Sequence, residues 1–91
     1  MRVTAEMSLY PLAAQPIEKI LEFIDTVRAD ERLEVVVNQL STQVRGELAD
    51  VMGSIEEAVR RSFVPGAAQA LVVKILNADL PIGEPPVLER R

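Results

Sequence analysis

The chain has 91 residues, which is room for one domain around a single core and too little for a second lobe. Ten basic against fourteen acidic residues give a net charge of −4, so the basic footprint of a nucleic-acid binder is missing. With neither Cys nor His there is no disulfide and no usual zinc or copper ligand, and carboxylates alone would suit only a hard cation.

Val3, Ala5, Met7 and Leu9 alternate with Thr4, Glu6, Ser8 and Tyr10, which predicts a strand over residues 2–10 with one buried face. Arg2 and Glu6 stand inside this alternation rather than ahead of an apolar run, so no signal peptide is expected. No apolar run approaches the roughly 20 residues of a membrane helix. The expectation is a soluble cytoplasmic protein without membrane insertion.

Pro11 lacks an amide hydrogen for a ladder and Pro16 suits a first helical turn, so the connection is expected between them. Ile17, Ile20, Leu21, Ile24 and Val27 follow at helical spacing and predict an amphipathic helix to about Ala29. Leu33 to Asn38 reads as a β-branched strand. Leu40, Thr42 and Val44 resume the alternation after a break at Asn38-Gln39, which predicts a hairpin.

From Leu48 the helical period returns with Val51, Met52, Ile55, Val59 and Phe63, and Glu56 with Arg60 and Glu57 with Arg61 form i, i+4 pairs on the outer side. Pro65-Gly66 stops that helix. Leu71, Val73 and Ile75 alternate with Val72, Lys74 and Leu76 in a last strand over residues 68–77. One domain over residues 1–80 is expected, followed by an extended, Pro-rich tail over residues 81–91.

The order β-α-β-β-α-β predicts an α+β, ferredoxin-like sandwich: a four-stranded antiparallel sheet with strand order 4-1-3-2 and two helices on one face. Strands one and three are then neighbours. Thr4, Glu6 and Ser8 should share the helix-free face with Ser41, Gln43 and Arg45, with Asn38 and Lys74 towards the edges. Val36, Val72 and Leu76 would add apolar area to that face, and a second copy should cover it.

Two markers stand out against this frame. Met7-Ser8-Leu9-Tyr10-Pro11-Leu12 ends the first strand, and Ser41-Thr42-Gln43-Val44-Arg45-Gly46 lies on the third. The pair Ser8-Leu9-Tyr10-Pro11 and Ser41-Thr42-x-x-Arg45-Gly46, the latter leading into a helix with Asp50 and Val51, resembles the YkoF-like family of thiamine- and hydroxymethylpyrimidine-binding proteins. The resemblance covers nearly the whole domain. It implies the same sandwich, sometimes present in tandem, and therefore assembly of two single-copy chains into a homodimer or higher homo-oligomer.

An aminopyrimidine presents an exocyclic amine and ring nitrogens, so its recognition needs carboxylate, amide or hydroxyl groups and a flat wall. Glu6, Ser8, Asn38, Ser41 and Thr42 supply the polar groups. Tyr10, the chain's sole tyrosine, can stack on a ring or a thiazolium. Arg45 completes the candidate set. Each has a plainer reading: Tyr10 as a strand-end aromatic, Ser41 and Thr42 as hairpin hydroxyls, Asn38 as a turn residue, and Glu6 with Arg45 as a cross-strand ion pair. Parity sets Thr42 on the core side unless the strand bulges.

No nucleophile with a visible base, no phosphate-cradling loop and no metal-ligand cluster is legible, so no catalytic residue and no cofactor is expected. The expected function is non-enzymatic binding of thiamine or its hydroxymethylpyrimidine moiety for salvage or transport. The competing readings are a ligand-free assembly module and a small-molecule-sensing regulatory domain.

Overall fold

Alternation along the first strand is what seats the core: Val3, Ala5 and Met7 are 1% exposed and Leu9 6%. The computed structural model describes residues 1–12 and 14–88. The elements run β1 (Arg2–Pro11), α1 (Pro16–Arg28), β2 (Glu34–Val37), β3 (Thr42–Glu47), α2 (Leu48–Ser62) and β4 (Gln69–Leu76). The sheet order is β2-β3-β1-β4 with every neighbouring pair antiparallel. This is the expected ferredoxin-like sandwich. The core faces of β1, β3 and β4 pack against Phe23 and Val27 of α1 and Val51 and Ala58 of α2.

The ladder has a definite phase. One step beyond Arg2↔Glu47, the Leu48 N–H bonds the Met1 carbonyl at 2.9 Å, so the odd-numbered residues of β1 exchange their backbone bonds with β3. One step beyond Pro11↔Gln69, the Leu12 N–H bonds the Ala68 carbonyl at 2.9 Å, so the even-numbered residues exchange theirs with β4. Pro11 is an odd position. Its nitrogen faces away from β4, so its missing hydrogen costs the β1–β4 ladder nothing, and the strand continues through it. Part of the connection expected after it, Ala13, lies outside the described residues.

Both helices are rotated relative to the stripes expected of them. On α1, Phe23 and Val27 are buried, Ile20 and Ile24 are half-buried, and Ile17 and Leu21 remain 71% and 54% exposed. On α2 the buried line is Val51, Ser54 and Ala58, while Met52 and Phe63 face outward. The two helices pack on each other as well as on the sheet. Small side chains at Ser54 and Ala58 permit that approach, and the larger ones flank it.

Beyond β4 the chain turns back over the helix-free face as a strap. The Thr4 hydroxyl donates to the Ala78 carbonyl at 2.7 Å and accepts from the Leu80 N–H at 2.9 Å. Arg45 donates to the Leu80 carbonyl at 2.7 Å, Ile82 is 8% exposed, and a Cβ on Gly83 would lie 3.2 Å from Val36 Cγ2. The strap therefore crosses β1, β3 and β2 in turn. It covers Val36, whereas Val72 and Leu76 stay 57% and 45% exposed. The end of the expected tail, residues 89–91, lies outside the described residues.

Candidate functional site

β1 is longer than its partner on one side. Its pairing with β3 ends at Met7↔Thr42, while its pairing with β4 continues from Ser8↔Val72 to Pro11↔Gln69. The overhang from Ser8 to Pro11 thus has a strand neighbour on one edge only. Opposite its free edge stands the tip of the β2–β3 hairpin, closed by the Asn38 N–H on the Ser41 carbonyl at 2.8 Å. Between overhang and tip, under α1, lies a cleft of about 350 Å³.

Ile20, Phe23 and Ile24 of α1 wall this cleft, and Leu9 and Leu40 extend the apolar lining. Ser8, Tyr10, Asn38, Ser41 and Thr42 contribute its polar groups. A mostly apolar cleft of this size with a few convergent hydroxyl and amide groups suits a small, flat, polar-edged ligand. Among the described residues none that lines it is charged.

Two hydroxyls tie the hairpin tip to β1. Ser8 Oγ donates to the Leu40 carbonyl at 3.2 Å, and Ser41 Oγ donates to Glu6 Oε2 at 3.1 Å. Glu6 also faces Lys74, Nζ to Oε1 3.5 Å. The Ser41 hydrogen bond, with a smaller contribution from the Lys74 charge, holds the Glu6 carboxyl below its usual pKa against the opposing effect of desolvation.

The structure thus brings together five of the seven residues singled out from the sequence and places two elsewhere. Glu6 lies on the helix-free face with Gln43 and Lys74, one hydrogen bond removed from the cleft through Ser41. Arg45 is bound to Glu34 and to the strap, where the Leu80 carbonyl accepts its guanidinium. The gathering point is also not the helix-free face. It is the sheet end beside α1, opened by the unequal lengths of β1 and β3. Thr42 needs no bulge: it pairs in register with Met7 on the core side, 4% exposed, and reaches the cleft from there. Asn38 sits just past the end of β2, in the turn.

Phe23, Gln39 and Leu40, which carry no binding signature in the sequence, also line the cleft, as do Ile20 and Ile24 of the expected helix stripe. No local pattern in the sequence marks them, because the register is what gathers them. A hairpin whose second strand begins at Thr42 cannot pair the first strand beyond Met7, so whatever covers the gap must line it. Among the described residues, no group of His, Cys, Asp or Glu could hold a metal ion, and no helix is long and apolar enough to cross a membrane.

The profile of the YKOF-related family matches residues 2–85. No curated protein matches the chain. Among solved structures, a Streptococcus pneumoniae protein superposes with a TM-score of 0.76 at 21% identity, over 88% of this chain and 90% of that one. A domain of unknown function from Bacillus cereus gives 0.74 at 21% identity, over 86% and 77%. A Thermotoga maritima protein assigned provisionally to thiamine biosynthesis or salvage gives 0.66 at 21% identity, over 80% and 82%.

Proposed function

We propose that this chain, which belongs to the YKOF-related family, is a non-enzymatic binder of thiamine or its hydroxymethylpyrimidine moiety, acting in the cytoplasm in salvage or transport. The observation that carries the reading is the cleft beside the β1 overhang, where Ser8, Tyr10, Asn38, Ser41 and Thr42 converge against an apolar wall. The thiamine-related description of the Thermotoga structure supports the ligand class. In this reading the pyrimidine ring lies against Phe23 and Tyr10, and hydroxyl and amide groups meet its polar edge. Glu6, kept ionised beyond Ser41, favours a cationic thiazolium at the mouth. No catalytic residue and no cofactor enters the proposal.

Titration calorimetry with thiamine, hydroxymethylpyrimidine and their phosphates tests it. Saturable heat is expected with at least one of them, and its absence with every one up to millimolar concentration sinks the reading.

An assembly role is favoured by a separate observation, the exposure of Val72 and Leu76 on the helix-free face beside the strap. We place a second copy of the chain there. Ser8→Ala and Val72→Asp separate the two roles: lost binding with the oligomer intact in Ser8→Ala supports the binder, and dissociation of Val72→Asp in a chain that binds none of these ligands supports the assembly module. A sedimentation run showing only monomer at micromolar concentration contradicts the second copy.

A further inference from the structure

We propose that the backbone N–H and C=O of Leu9 are the polar contact that orients the ligand in this cleft, selecting a planar group with a hydrogen-bond donor and acceptor side by side. The inference rests on the pyrimidine-binding reading and names the atoms that would read the ring.

The ladder phase leads there. Val3, Ala5 and Met7 meet Gly46, Val44 and Thr42, and the odd-numbered residues of β1 direct both backbone groups to that side. The next odd residue is Leu9, whose partner by the same register would be Leu40. At Leu40 the chain has already turned away: the residue is 90% exposed, and its carbonyl accepts the Ser8 hydroxyl instead. By the same phase the Leu9 N–H and C=O point away from β4, and among the described residues no loop backbone group bonds either of them. Leu9 is nevertheless only 6% exposed, and it lines the cleft.

Buried peptide groups are almost always partnered, so an unpaired N–H and C=O at the cleft wall mark where a ligand bonds. The two groups point the same way from one extended residue, as they would towards a neighbouring strand. An acceptor-only ligand such as a phosphate would satisfy the N–H and repel the carbonyl. A ring nitrogen beside an exocyclic amine satisfies both, and that is the edge a 4-aminopyrimidine presents. A cleft of about 350 Å³ roofed by Phe23 admits such a ring, whereas the hairpin tip blocks a further strand.

Amide hydrogen exchange and chemical shifts of the full chain, ¹⁵N-labelled, test this, with hydroxymethylpyrimidine and its analogue lacking the 4-amino group as probes. In the free protein the Leu9 amide should exchange at least tenfold faster than that of Met7. Saturation with hydroxymethylpyrimidine should slow it at least tenfold and shift its resonance, and the deaminated analogue should bind at least tenfold more weakly. Equal protection of Leu9 and Met7 in the free protein overturns the inference, because the N–H would already have a partner. Shifts at Ser8, Tyr10 and Asn38 with Leu9 unchanged, or equal affinity for the two probes, overturn it while leaving the functional reading standing. If neither probe moves any cleft resonance, the functional reading falls and this inference with it.

Discussion

Thr4 and Leu80, 76 positions apart, are joined through a single hydroxyl that accepts the Leu80 N–H at 2.9 Å while donating to the Ala78 carbonyl at 2.7 Å. Thr4 is 7% exposed although it sits on the sheet face away from the helices. The strap is what buries it. Thr4→Val keeps the shape and removes both bonds, leaving a donor and an acceptor of the strap without their partner. It should cost about 1–3 kcal/mol. Denaturant unfolding reads the loss, and an unchanged midpoint would show that the strap is not held there.

Glu6 gives the fold a pH dependence of known sign. Its folded pKa is depressed, chiefly by the Ser41 hydrogen bond, so the stability it contributes is present above the ordinary carboxylate pKa and is lost as pH falls through the folded value. Ser41→Ala should move the Glu6 titration upward, towards the ordinary range. A carboxyl-detected NMR titration measures this, and an unmoved Glu6 midpoint would contradict the assignment of Ser41 as the main cause.

Two glycines should respond in opposite directions. A Cβ on Gly46 would lie 2.8 Å from Leu33 Cδ2 and 3.4 Å from the Arg32 carbonyl, so Gly46→Ala must push Leu33 in the core and should destabilise by about 1–3 kcal/mol. On Gly53, inside α2, a Cβ meets nothing nearer than the Arg32 guanidinium at 3.9 Å. Gly53→Ala should therefore stabilise by up to about 1 kcal/mol through helix propensity. Thermal unfolding of the two variants checks the pair of signs.

Arg45 and Ser8 should separate in function. Arg45 engages Glu34 and the strap rather than the cleft, so Arg45→Ala should loosen residues 78–82 to hydrogen exchange and leave ligand affinity within about twofold. Ser8→Ala removes a cleft hydroxyl that makes one exposed bond, and should weaken binding about tenfold, the worth of one hydrogen bond of about 1.4 kcal/mol, with little change in stability. Calorimetric titration of both variants decides it. A large affinity loss in Arg45→Ala would return that residue to the site.

Much of the architecture was legible because periodicity is local. A residue's parity in β1 depends only on its neighbours in sequence, so Met7 and Leu9 could be assigned to the core and Ser8 to the other side without any tertiary information. The change from period two to 3.6 and back fixed the order of elements, and the order left one economical topology. The helix faces were less legible. Phe23, Ser54 and Ala58 are chosen by how two helices approach each other, and a stripe of large apolar residues carries no record of that approach.

By itself the sequence determined the sandwich, the buried side of its first strand and the two markers that lie near one another. Only the tertiary structure decided where they meet. The register of β3 stops at Thr42 while β1 runs on to Pro11, which leaves a cleft under α1 and a Leu9 whose edge towards β3 has no strand beside it. The same structure sent the tail back across the sheet, binding Arg45 and burying Thr4. Both outcomes depend on how far one strand outruns another and on which face a distant segment covers. Those are contacts between residues far apart in the chain, and local patterning cannot encode them.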